Sequence, residues 1–284
     1  MTQRLLVVLD PDQDTTAATD TAIDIARRSE GEVTGLAFVD KDSIETSSSG
    51  GGIGSMYFAE KLRKQLTEET RTRADALVRQ FVERVEAAGV RHTNDHVEEG
   101  ALVQSLLDEM RTHDLLIAGR ESHFYYANPE RRTHTLAKVL EHAAAAMLIV
   151  GSEVPNVRRV AVAYDGSAPA ARAMQKFALL RPFGTGLDVE VVHVRGGSEA
   201  ARLASDGLLS GAQDYLHAHG FSSVRLTSVE GSDPADQIAA YADGERADLV
   251  VSGAFAKSGF RKLVFGSAAK RLLEDARVPL FLCS

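Results

Sequence analysis

The chain has 284 residues, 44% of them hydrophobic, with a formal charge of −8. That length allows two domains of ordinary size, and the negative balance is the wrong one for a surface that follows a nucleic-acid backbone, which needs clustered Lys and Arg. A single cysteine, Cys283, excludes an internal disulfide framework and a cysteine zinc cluster, and its place in a terminal apolar run marks a core thiol.

Residues 5–9 form an unbroken apolar run ending at Asp10, which predicts a strand buried on both faces, as in parallel sheets. The run is too short for a signal-peptide core, and no later stretch is apolar enough to span a membrane, so the expected setting is the cytoplasm, with no membrane or nucleic-acid partner. Ala18, Ala22, Ile25 and Ala26 follow at helical spacing, and residues 33–39 return to strand. Residues 42–55 contain Ser47, Ser48, Ser49, Gly50, Gly51, Gly52, Ile53 and Gly54, without periodicity. They read as a surface loop, since the Gly-Lys-Ser/Thr of a P-loop is missing.

A long helix over 58–88 carries Ala74, Leu77, Val78, Phe81 and Val85 as one apolar stripe. A strand near 91–97, a helix over 101–110, a strand at 115–118, a helix around 135–144 and a strand at 147–150 complete this half. Such regular alternation of strand and helix implies crossover connections and a parallel sheet. His92 and His96 have the spacing of a helical metal pair, but along a strand that spacing covers about 13 Å, so no zinc site is expected.

After a short linker at 151–156 the pattern begins again. Val160 to Asp165 echoes Leu5 to Asp10, Leu187 to Val194 echoes Val33 to Val39, Glu230-Gly231 echoes Glu99-Gly100, and Asp248 with its apolar run echoes Asp114. The chain reads as a tandem duplication with domains at 1–152 and 157–284. Asp10 and Asp165 stand 155 positions apart and Gly100 and Gly231 only 131, so the first copy carries 24 extra residues in its loop and long helix.

In an open α/β sheet ligands bind beyond the carboxyl ends of the strands, where strand order reverses. Asp165, Val194 and Gly253 sit at such ends in the second half: a carboxylate for a sugar hydroxyl or a base, backbone for an adenine edge, and the start of a glycine-bearing loop. That loop runs from Gly253 through Ala256 to Gly266 and Ser267 and enters a helical pattern over 268–276. Free N–H groups and the positive end of a helix dipole favour an anion there, and Ser267 is suited to cap the helix or bind a phosphate oxygen.

These features resemble the universal stress protein family, with two copies of its domain covering nearly the whole chain. The family's ATP-binding branch has the motif G-x2-G-x9-G-[ST], and Gly253, Ala256, Gly266 and Ser267 stand at those spacings with three of four positions in agreement. Val160 to Ser167 likewise resembles the family's first strand ending in Asp-Gly-Ser, whose Asp contacts the nucleoside. The resemblance implies two α/β domains, each a five-stranded parallel sheet of order 3-2-1-4-5 with helices on both faces. It also implies pairing of the strands that end at Val150 and Cys283, ATP or AMP as ligand with Mg accompanying the nucleotide, and a homodimer.

Ala256 departs from the motif, and if its position requires φ > 0 the Cβ costs about 1 kcal/mol. The first half departs further. After Gly119 come Arg120 and the aromatic Phe124, Tyr125 and Tyr126, with Thr133-His134 aligned to Gly266-Ser267, and Asp10 precedes Pro-Asp. No ATP is expected in this half. No Gly-x-Ser-x-Gly elbow, Ser/His/Asp or Cys/His arrangement or acidic metal cluster stands out, so no catalytic or metal residue is assigned and no enzyme is expected. The leading expectation is an adenine-nucleotide-binding stress protein acting through a protein partner. A structural or interaction protein without nucleotide, a slow nucleotide hydrolase, and a sensor of another small ligand in the first half are the alternatives.

Overall fold

The computed structural model describes residues 3–41, 44, 55–120, 129–231, 234–241, 243, 246–257, 263–265 and 267–284. In the first half, β1 (Arg4–Leu9), α1 (Asp14–Ser29), β2 (Glu32–Asp40), α2 (Ser55–Ala87), β3 (Arg91–His92), β4 (His96–Gly100), α3 (Leu102–Met110), β5 (Leu115–Gly119), α4 (Pro129–His142) and β6 (Ala146–Val150) follow one another. The second half contains β7 (Arg159–Ala163), α5 (Ala168–Leu180), β8 (Asp188–Arg195), α6 (Glu199–Ala218), β9 (Ser223–Glu230), α7 (Pro234–Ala239), β10 (Leu249–Gly253), β11 (Phe255–Lys257), β12 (Leu263–Phe265), α8 (Ser267–Asp275) and β13 (Leu280–Cys283).

The fully apolar runs become central strands, because only a strand covered on both faces can bury every side chain. The main sheet has the order β3-β2-β1-β5-β6-β13-β10-β7-β8-β9, with β4 also on β2. Each half therefore has the 3-2-1-4-5 arrangement, parallel throughout. The strands ending at Val150 and Cys283 do pair: β13 runs antiparallel to β6, with Leu280 opposite Ile149, Phe281 opposite Leu148 and Leu282 opposite Met147.

Register repeats with the sequence. Leu5 faces Val33 and Leu115, and Val160 faces Val189 and Leu249. A polar clasp repeats too: the Arg4 and Arg159 N–H groups donate to Asp114 Oδ2 and Asp248 Oδ2, both at 2.9 Å, while the two Asp N–H groups donate to the Arg4 and Arg159 carbonyls, both at 2.8 Å. It ties the starts of strands one and four in each half, satisfying backbone groups that the ladder does not reach.

One apolar core lies on each face of the sheet, and each contains residues of both halves. One gathers Ala22 of α1, Phe81 of α2 and Phe177 of α5. The other gathers Leu106 of α3, Leu140 of α4 and Leu272 of α8. Cys283 is buried, and that burial pushes its thiol pKa up, in keeping with a core role.

Two local differences from the sequence expectations have physical reasons. The strand near 91–97 is two pieces, because Asn94 adopts φ 57°; Asp95 Oδ1 then accepts the Gly35 N–H at 2.8 Å in place of a ladder partner. His92 and His96 fall on the separate pieces, and each ring has a local partner, Asp95 for His92 and the Asn94 carbonyl for His96. Helix α4 begins at Pro129, six residues before the expected start, since proline is suited to the first helical turn.

Phe281 is fully buried and meets Phe177 edge to face at 5.7 Å between centroids, and Phe177 stacks on Phe221 at 5.6 Å. Phe281→Ala is expected to cost about 3–5 kcal/mol. Thermal unfolding of this variant should show one cooperative transition at lower temperature for the whole chain; two separated transitions would contradict the shared core.

Candidate functional site

At the carboxyl edge of the second half, β7 ends in Ala163 and the chain continues through Tyr164 to Asp165. The Tyr164 N–H donates to the Val192 carbonyl at 2.9 Å, and His193 Nδ1–H donates to the Tyr164 carbonyl at 2.8 Å, which brings the ends of β7 and β8 together. Asp165 is exposed; its Oδ1 accepts the Ser167 N–H at 2.9 Å, leaving Oδ2 without a partner among the described residues. Gly166 turns the chain with φ 74°, and Ser167 caps α5 by accepting the Ala170 N–H at 3.3 Å. The local sequence thus presents one carboxylate oxygen outward above a fixed helix start.

Val194 is half-buried near the end of β8. A Cβ placed on Gly231 would lie 3.4 Å from Val194 Cγ1 and 3.3 Å from Gln237 Cγ, so this glycine packs closely between the end of β8 and α7.

Gly253 closes β10 against α5, where a Cβ would lie 2.7 Å from the Pro169 carbonyl carbon and from the Ala170 nitrogen. Packing of backbone on backbone therefore requires this glycine whatever else the loop does. Beyond it, β11 and β12 form a hairpin with Ala256 opposite Val264. Ala256 is extended, so the left-handed penalty that the motif raised for it does not arise. Gly266 lies outside the described residues, and Ser267 begins α8. Asp165 precedes the start of α5 and Gly253 packs against its first turn, with Val194 one strand away, where β7 is flanked by β8 on one side and β10 on the other. This is the point at which strand order reverses.

The first half keeps the scaffold and changes the groups. Gly119 packs as Gly253 does, a Cβ there lying 2.5 Å from Asp14 Cβ. Thr133 and His134, aligned to Gly266-Ser267, fall inside α4 and not at its start, so their N–H groups are committed to the helix. The stretch holding Phe124, Tyr125 and Tyr126, like the one from Ser47 to Gly54, lies outside the described residues.

Asp10, Asp12 and Asp14 crowd the edge here, and the register puts Asp40 where the second half has Gly196. Asp12 Oδ1 accepts the N–H groups of Asp14 and Thr15 at 2.8 and 2.9 Å, while Oδ2 is buried without a partner. Burial, then the neighbouring Asp10, raises the Asp12 pKa to about 6.

Among the described residues no group of three or more His, Cys, Asp or Glu is placed to hold a metal ion, and no helix is long and apolar enough to cross a membrane. The model of the universal stress protein family matches twice, over residues 1–151 and 156–284. A universal stress protein of Synechocystis sp. is 22% identical over 245 residues, covering 84% of this chain and 83% of that protein. Among solved structures, a universal stress protein from Archaeoglobus fulgidus matches with TM-score 0.68 at 18% identity, covering 99% of this chain and 96% of that one. A functionally unknown protein from Pseudomonas aeruginosa matches with TM-score 0.60 at 16% identity, covering 99% and 92%. At these identities the structural matches establish the fold.

Two measurements check the geometry. Because the folded Asp12 carboxyl keeps its proton up to about pH 6 and an unfolded one only to 3.8, the site weakens the fold above pH 6 and the penalty fades as pH falls toward 4. Asp12→Asn keeps the Oδ1 acceptor and should raise stability at pH 8 by about 1 kcal/mol after allowance for solvent screening, with no gain at pH 4. Gly253→Ala should lower the melting temperature of ligand-free protein, by about 1–3 kcal/mol of stability, as α5 shifts to admit the methyl group.

Proposed function

The chain belongs to the universal stress protein family, and on that premise we propose that its second half binds an adenine nucleotide, ATP or AMP, between Asp165 and the start of α8. The observation that carries this reading is the position of the Ser267 helix start: it follows a loop that leaves β10 at Gly253, beside the strand-order reversal where Asp165 turns a carboxylate oxygen to solvent. In this arrangement the first N–H groups of α8 and the Ser267 hydroxyl hold phosphate, and Asp165 accepts from the ribose hydroxyls. Backbone at the end of β8, near Val194, meets the base, and Mg accompanies the triphosphate without a dedicated protein cage. The first half binds no ATP, because four carboxylates stand at its edge and its α4 does not start at the aligned position.

In this reading the protein is not an enzyme. Nucleotide occupancy alters how the chain meets a protein partner, in the cytoplasm and as a homodimer. Gly119 supports the competing reading, an interaction protein without nucleotide, because it has the same packing role in a half that lacks the rest of the motif. The first motif glycine alone is therefore no mark of a ligand.

Titration calorimetry with ATP and AMP separates the two. The expected result is binding that Gly266→Asp abolishes, since the new carboxylate would stand at the phosphate position. No heat up to millimolar nucleotide would reject the nucleotide reading in favour of the competing one.

A further inference from the structure

We infer that residues 198–206, the N-cap and first two turns of α6, are a lid on the carboxyl edge of the second half, opening as a unit about Gly196 and Gly207. The body of α6 is anchored behind this segment. Leu209, Ala212 and Leu216 are buried in the core, and Leu208 Cδ1 lies 2.7 Å from where a Cβ on Gly166 would stand, in the turn that follows Asp165. From Glu199 to Asp206, by contrast, only Ser205 is buried. Its hydroxyl shares a hydrogen bond with the Ser228 hydroxyl at 3.0 Å, while the ion pairs of Arg202 with Glu199 and Asp206 lie inside the segment and move with it.

The floor that the lid meets is polar where the first half is apolar. His193, Arg195 and Ser228 follow Val191 and Leu226 on the α6 face of β8 and β9, and Ser228 stands opposite His193 in the ladder. The equivalent register positions of the first half hold Ala37, Val39 and Val97, which pack in the core that α2 covers. Arg195 Nη1 donates to the Gly196 carbonyl at 3.0 Å and lies 3.4 Å from Glu230 Oε2, while its Nε is buried with no partner among the described residues. Water that entered an apolar floor would cost hydrophobic stabilisation; water that enters this one supplies hydrogen bonds. Opening therefore costs little more than the single Ser205–Ser228 bond and the helical bonds that cross the hinge.

The glycines at the two ends serve no purpose in the closed form. A Cβ on Gly196 or Gly207 would meet no neighbouring element within 4 Å, and neither residue has a positive φ. Gly207 also lies in the interior of α6, where glycine weakens a helix. Backbone freedom at both ends of one weakly held segment is what a hinged lid uses.

Thiol labelling of the full, ligand-free chain carrying Ser205→Cys tests the lid, with the buried Cys283 as internal reference. The new thiol should react at least about tenfold faster than Cys283, because local opening reaches it and only global unfolding reaches Cys283. Adding Gly207→Ala should slow that reaction about fivefold, since opening breaks the helix there. Gly211→Ala, equally open in space but inside the anchored body, should leave the rate within about twofold. A new thiol that reacts no faster than Cys283, or equal slowing by both alanines, overturns the lid. Hydrogen exchange of the wild type separates a lid from a fraying end: the amides of 207–210, whose helical acceptors lie in the lid, should exchange at one common rate. Rates that fall residue by residue from 203 to 210 would mean fraying and overturn the unit opening.

Discussion

The antiparallel contact between β6 and β13 governs the rest of the molecule. A parallel sheet of five strands has an edge on each side, and an exposed edge of apolar strand is a template for unwanted pairing. Here the fifth strand of each half covers the fifth strand of the other, through Leu280, Phe281 and Leu282 against Ile149, Leu148 and Met147. The helices on each face then extend one core across the join, so Phe177 and Phe281 of the second half belong to the same cluster as Leu148 of the first. Because the contact is antiparallel, the carboxyl edges of the two half-sheets point in opposite directions, and each candidate site is built within one half.

Within that frame, the two sites diverge by charge and by helix start more than by backbone. Strand order, register, the Arg–Asp clasp and the glycine at the end of the fourth strand are common to both. At the carboxyl edge the second half presents Asp165 beside Ser167, Pro169 and Gly196; the first presents Asp10 beside Asp12, Asp14 and Asp40. Burial, reinforced by the neighbouring Asp10, holds a proton on Asp12 to about pH 6. A phosphate would add negative charge where negative charge is already destabilised.

Part of the extra length of the first copy lies in α2. α2 runs for 33 residues against 20 in α6, and the stripe through Ala74, Phe81 and Val85 seats only its later part against β2 and the core. The earlier turns carry Tyr57 and Leu62, both exposed. The duplication thus supplied one scaffold twice, and later change gave its halves different edges.

Much of the fold was legible in the sequence, because apolar runs, helical stripes and their repetition are properties of neighbouring residues. The alternation from Leu5 onward, the duplication at Asp165 and the loop between Gly253 and Ser267 needed no coordinates. The sequence alone could not show that Asn94 breaks a strand, that α4 starts at Pro129, or that Ala256 is extended, because backbone conformation at those points depends on what packs around them. Nor could it separate two roles for a motif glycine, since a contact with the α5 backbone at 2.7 Å joins residues far apart in the chain. Gly231 is a similar case: only the close approach of Gln237 on α7 and Val194 on β8 shows why a side chain would be tight there. Sequence determined the family, the repeat and the half that retains the loop; tertiary structure decided which groups meet there, because proximity across strands is set by sheet order and register.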